Sequence, residues 1–396
     1  MTTYSLDQRT DPWADLKAQF REIFESAPAL YRAPGRVNLI GEHTDYNDGF
    51  VMPAAIDLSC CVAIAPRNDR QLIVHSVNFK ETVEFPLDVS KATSARDHWS
   101  DYVRGVAWVL ESAGYNLCGA ELAVLSNIPI GAGLSSSAGI EVATAYALLD
   151  TSGIQITRTQ LARLCQKAEN DYVGARCGIM DQFIACHAQA GNAIVLDCRS
   201  LEYDTLPLND DVRLLISNTM IDHHLATGEY NVRRAECEEG VSRLSTVLPG
   251  IQSLRDVSLA DLQQYRDRLT EVLYRRCRHV ITENQRVSEA AVALQGENLK
   301  SFGRLMAESH RSLRDDYEVS CPELDIMVEI AVAQEGVYGS RMTGGGFGGC
   351  TISLVKDEFV SRAQRAIAEG YESRTGRRPE IYVCSAAEGV GIADGF

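Results

Sequence analysis

Two stretches of this chain bring together residue types suited to holding an anion and a polyol. In Pro129-Ile-Gly-Ala-Gly-Leu-Ser-Ser-Ser-Ala138, Gly131 and Gly133 precede Ser135, Ser136 and Ser137, with Ala132, Leu134 and Ala138 between and after them. Glycine tolerates positive φ and lets backbone amides approach an anion, while serines favour the opening turn of a helix, where unpaired N–H groups carry partial positive charge. The string lies between a strand-like and a helix-like segment, so it reads as a phosphate cradle. It is not a Walker A loop, because no lysine follows the last glycine at GxxxxGK[ST] spacing. A lone Gly-x-Gly is as readily a plain turn; three serines at a helix start favour the cradle.

The second stretch, Arg32-Ala-Pro-Gly-Arg-Val-Asn-Leu-Ile-Gly-Glu-His-Thr-Asp-Tyr-Asn47, packs Arg36, Glu42, His43, Thr44 and Asp45 into ten residues. An uncharged polyol is best held by several donors and acceptors converging from one loop. Such residues also make solvated loops with local ion pairs, and spacing alone does not separate the two.

These stretches need elements to hold them. Residues 58–65, 71–75, 120–125 and 193–197 are apolar and β-branched enough for strands, and 141–150 reads as a helix. Thr157 is a helix N-cap for a segment reaching about Val173, with Leu161, Leu164, Cys165, Ala168 and Tyr172 on one face. Glu169 leans toward that face, and a carboxylate there needs a partner. A strand at 212–217 precedes a mainly helical region from 229 to 334, with amphipathic stretches at 261–280 and 298–309 and a more apolar one at 323–334. Strands at 350–355 and 380–384 then flank a helix at 358–375.

The pattern is α+β in two domains, residues 1–208 and 209–396. At 396 residues and 45% hydrophobic the chain can bury a large core. Fifty-four acidic against 38 basic residues give a formal charge of -16, which argues against a nucleic-acid footprint, since that needs a clustered basic face. No signal peptide and no apolar run of about 18 residues is present, so a cytoplasmic protein with no membrane partner is expected. Twelve scattered cysteines without CxxC or zinc-ligand spacing read as small buried hydrophobes.

The two strings above, together with Met342-Thr-Gly-Gly-Gly-Phe-Gly-Gly349, resemble the three motifs of the GHMP kinase superfamily, and the Arg32–Asn47 string is similar to the galactokinase signature. Cys177-Gly-Ile-Met-Asp-Gln-Phe183, Gly228-Glu-Tyr-Asn231, Arg233-Arg234 and Glu308-Ser-His310 extend the resemblance over nearly the whole chain. It implies an N-terminal ribosomal-protein-S5-like domain and a C-terminal ferredoxin-like domain. It also implies transfer of phosphate from ATP, with Mg²⁺, to the anomeric hydroxyl of galactose in the Leloir pathway, by a monomer or weak homodimer. By the same resemblance Arg36 and Asp181 are the catalytic pair, and Glu42, His43, Thr44, Asp45, Gly178 and Tyr230 bind the sugar. Residues 131–138 with Gly345 and Gly346 bind the nucleotide, and Ser137 and Glu169 hold the metal.

A carboxylate beside an arginine is a weak ground-state base, so Asp181 is expected to orient the hydroxyl and take its proton late. Two departures from the family pattern stand out. Gly139 replaces a common serine, which predicts a small stability effect, and Asp222-His223-His224 reads as a surface loop rather than a metal site. The rival readings are a kinase for another sugar, such as N-acetylgalactosamine or arabinose, and a non-catalytic galactose and ATP sensor. The intact serine loop and the Arg36–Asp181 pair weigh against the sensor.

Overall fold

The computed structural model describes residues 12–88, 98–221 and 226–393. Asp222, His223 and His224 lie outside the described residues. The first sheet runs in the order β13-β1-β3-β6-β4-β5, built from β1 (Ala29–Asn38), β3 (Pro53–Arg67), β4 (Gln71–Ser76), β5 (Glu81–Pro86), β6 (Gly119–Ser126) and β13 (Gly391–Ile392). It is antiparallel except for the parallel pair of β4 and β6. A small sheet joins β2 (Phe50–Val51), β7 (Asn192–Asp197) and β8 (Tyr203–Pro207). A third has the order β10-β11-β9-β12, from β9 (Val212–Asn218), β10 (Val337–Thr343), β11 (Cys350–Lys356) and β12 (Glu380–Cys384).

Beyond β12 the chain returns to the first sheet, where Tyr31 pairs with Ile392 in β13. One apolar core runs across the first and third sheets, from Val62 and Leu122 to Ile216 and Ile352.

Residues 33–38, expected to open a glycine-rich loop running to Asn47, belong to strand β1, so Arg36 stands on a sheet. Pro34 and Gly35 look like turn residues, but the register with β3 shifts between Pro34 and Arg36, and this bulge accommodates them. A β-carbon on Gly35 would come 2.8 Å from Leu134 O, so glycine there lets residues 131–137 lie against the strand. Arg36 N then donates to that carbonyl at 3.1 Å.

Helix α3 (Ser136–Thr151) begins five residues earlier than expected, placing Ser136 and Ser137 in its first turn. Gly139 fits because a β-carbon would lie 2.8 Å from Ile128 Cδ1 and 3.5 Å from Cys60 Cβ. Thr157 caps α4 (Arg158–Lys167) in a capping box with Gln160, after which residues Ala168–Val173 loosen into a π-turn that carries Glu169.

The expected helix at 261–280 is instead two, α7 (Leu259–Gln264) and α8 (Glu271–Gln295), because Thr270 accepts from Leu273 N and starts a new helix. Helix α9 (Leu299–Ser312) packs beside α8 and against β10. No described helix is long and apolar enough to cross a membrane.

Candidate active site

The bulged strand, the serine loop and helix α5 (Met180–His187) meet at Arg36. Its Nε and Nη2 donate to the two oxygens of Asp181 at 2.7 Å each, and its Nη1 donates to Gly133 O at 2.6 Å. Such a two-pronged pairing fixes direction as well as distance. Ser135 Oγ also donates to Asp181.

This serine sits at the N-cap of α3 in left-handed backbone, φ 61°, and makes no side-chain cap bond to the helix. With that hydroxyl turned to Asp181, the opening amides of α3 carry no side-chain cap and suit an anion. Asp181 remains 23% exposed in its side chain, so its carboxylate reaches the cleft.

Glycines close the loop against the third motif. A β-carbon on Gly344, φ +85°, would lie 2.8 Å from Gly133 O, and one on Gly346 would lie 2.2 Å from Val319 O. Gly345 and Gly131 face open space. The residues expected to bind nucleotide thus form two glycine-rich backbones in contact, with Ala132, Leu134 and Ala138 buried as their apolar anchors.

Glu169 is buried among donors. Gln182 Nε2 reaches it at 2.6 Å and Cys177 Sγ at 3.3 Å, and the side chain of Ser137 is bonded to it as well. Burial and the Asp181 charge push its pKa up. Gln182 and Cys177 are members of this cluster that sequence reasoning passed over; both sit in the Cys177–Phe183 string beside Asp181.

The polyol motif separates into two roles. His43, Asp45 and Tyr230 gather around one space: the His43 ring lies 5.8 Å from that of Tyr230, and Tyr46, missed from sequence, donates to or accepts from His43 Nδ1 at 2.8 Å. Burial keeps the His43 imidazole neutral, and its Nε2 has no hydrogen-bond partner among the described residues, as suits a ligand hydroxyl.

Gly178 packs against Asp45, where a β-carbon would fall 1.9 Å from Oδ2. Glu42 instead ties the first motif to the third, accepting from Asn38 Nδ2 at 3.1 Å, Thr343 Oγ1 at 3.1 Å and Gly344 N at 2.7 Å. Thr44 is fully buried, its hydroxyl within 2.8 Å of Gly41 O and 2.7 Å of Phe50 O, and serves the turn.

Residues 18–66 match the galactokinase galactose-binding signature, 101–189 the GHMP kinases N terminal domain and 290–373 the GHMP kinases C terminal domain. A Roseiflexus galactokinase is 46% identical over 95% of this chain and 96% of its own length. The chain belongs to the galactokinase family. The human galactokinase is 45% identical over 96% of both chains. A crystal structure of Lactococcus lactis galactokinase complexed with galactose superposes with a TM-score of 0.93 at 38% identity, covering 96% of this chain and all of that one. A mevalonate kinase from Methanococcus jannaschii, at 18% identity and TM-score 0.64, shares the fold alone. In this chain Arg36, Asp181 and the serine loop are brought into direct contact.

Proposed function

We propose that this cleft transfers the γ-phosphoryl group of ATP to the anomeric hydroxyl of galactose. The observation that carries the reading is the Asp181 carboxylate, clamped by Arg36 and Ser135 at the junction of the phosphate loop and the polyol motif. Phosphoryl transfer asks for in-line placement and charge neutralisation more than for covalent help. His43, Asp45 and Tyr230 place the sugar, with Glu42 and Gly178 holding that wall in shape. The amides of α3 and of Gly345 and Gly346 meet the phosphates. Asp181 orients the acceptor hydroxyl and takes its proton as the new P–O bond forms, while Arg36 holds the carboxylate in place. The stacked pair Phe79 and Trp99, rings 12° apart in tilt, follows Asn78, which is bonded both ways to Ser126 at the end of β6, and offers a flat face for the base.

Ser137 and Glu169 fit Mg²⁺. Among the described residues no group of three or more His, Cys, Asp or Glu is arranged for a metal, but Mg²⁺ takes one or two protein oxygens and completes its shell with phosphate and water. A buried carboxylate with a raised pKa facing a second carboxylate calls for a cation. When bound, that ion neutralises charge on the phosphates. We also place the enzyme in the cytosol, on its twelve scattered cysteines, all of them free.

Comparing kcat/KM for galactose, N-acetylgalactosamine, glucose, talose and arabinose by ADP release tests the substrate. Galactose is expected to lead, and a higher value for any other sugar overturns the assignment.

Two further results are expected. Gly178→Ala drives a methyl into Asp45 and should raise KM for galactose about tenfold or more while KM for ATP stays within about twofold. Equal rises in both would contradict the placement.

Asp45 is pushed up to about 7 by burial and by Asp181. Sugar hydroxyls that donate to it favour the ionised form, so binding lowers its pKa and releases a proton. Galactose affinity should therefore rise from about pH 6 to about pH 8, with proton release read by calorimetry in two buffers. For the free protein the sign is opposite. The folded state holds a proton that the unfolded chain gives up, so this contribution to stability is present below about pH 4 and lost as pH rises through about 7.

A further inference from the structure

The polyol turn takes costly backbone. Gly41 has φ +100° and His43, which carries a β-carbon, has φ 64°. One face of α8 meets this turn through His279, Glu283 and Val287, one helical turn apart and all fully buried. Gly41 N donates to Glu283 Oε1 at 2.9 Å, and His279 Nε2 lies 3.1 Å from Glu42 O. A carbonyl can only accept, so Nε2 carries the ring proton, and burial pulls His279 down to about 4, leaving it neutral at pH 7. Its Nδ1 lies 2.9 Å from Ser312 Oγ, and that hydroxyl also lies 3.2 Å from Asp316 Oδ2, so its one proton is shared between two acceptors.

Support comes from α9 as well. Ser309 Oγ donates to Glu283 Oε1 at 2.5 Å, and Arg286 Nε donates to Oε2 at 2.6 Å. Burial would neutralise Glu283, but Arg286, His279 and Arg341 hold its pKa down to about 2. Of the Glu308-Ser309-His310 string, Ser309 thus acts behind the turn, while His310 Nδ1 faces Met342 N at 3.4 Å.

We propose that His279 and Glu283 are positioning residues for sugar binding, because they fix the Gly41 amide and the Glu42 carbonyl and so set the backbone that presents His43 and Asp45. The proposal rests on the reading of His43 and Asp45 as sugar contacts. A scaffold role alone would change stability and both substrates' KM values together; a positioning role splits them.

The test compares His279→Leu, His279→Gln and Ser312→Ala by Tm, kcat and KM for galactose and for ATP. His279→Leu should raise KM for galactose about tenfold or more, as expected for a lost buried hydrogen bond, with KM for ATP within about twofold. His279→Gln returns an N–H toward Glu42 O and should recover most of that loss. Ser312→Ala loosens the ring without cutting the clamp and should raise KM for galactose alone by about two- to fivefold. If His279→Leu does not fold, the split in Ser312→Ala decides. Parallel rises in both KM values, or an unchanged galactose KM in the folded variants, overturn the proposal. Wild-type enzyme that binds no galactose by calorimetry overturns the functional reading beneath it, an outcome distinct from any loss confined to the variants.

Discussion

Asp181→Asn is expected to lower kcat by about 10²- to 10⁴-fold while leaving ATP affinity within about threefold of wild type. Asparagine keeps one acceptor oxygen but cannot take the acceptor's proton, and its amide nitrogen faces a donor wherever it turns, since Arg36 and Ser135 supply N–H and O–H to both oxygens of Asp181. A stability loss of about 1–3 kcal/mol should accompany the change. Steady-state ADP release gives kcat, and nucleotide titration gives the affinity. Turnover within about threefold of wild type would remove Asp181 from the chemistry.

Arg36→Leu has the second large effect, and it falls on two properties. Arg36 is buried, with its guanidinium committed to Asp181 and to Gly133 O. Removing one member of such a pair leaves a carboxylate unsupported and is expected to destabilise by about 3 kcal/mol or more. Turnover should fall by about 10³-fold, because both Asp181 and the loop carbonyl lose their anchor. The double change Arg36→Leu with Asp181→Leu separates the two properties: most of the lost stability should return and no turnover should. Thermal melts and ADP release on the three variants measure this. Recovery of activity in the double variant would contradict the account.

The sequence was most readable where local chemistry and tertiary context agree. Thr157 announced its helix because a threonine three residues before a glutamine caps the same way in any fold. Glu169 was legible as an inward carboxylate needing a partner, although the π-turn that carries it was not, since nothing in residues Ala168–Val173 encodes a π-turn apart from packing. Strand β1 was hidden by Pro34 and Gly35, whose turn-like identity is reconciled with a sheet only by a bulge and by the close approach of Leu134. The break at Thr270 was masked by apolar periodicity that continues across two helices. Strand β13 is two residues long and exists only because β1 lies beside it, a pairing across most of the chain that no local pattern reports. In the site, residue types showed what could bind an anion or a polyol; that Glu42 would brace Gly344, and that Ser135 would turn to Asp181, depended on which strands became neighbours.

A crystal structure of the enzyme with galactose and a non-hydrolysable ATP analogue tests the central claim most directly. The anomeric hydroxyl should lie about 2.6–3.2 Å from the Asp181 carboxylate, with the γ-phosphate against residues 131–137 and in line with that oxygen. A different hydroxyl facing Asp181, or a γ-phosphate held away from the serine loop, would contradict it.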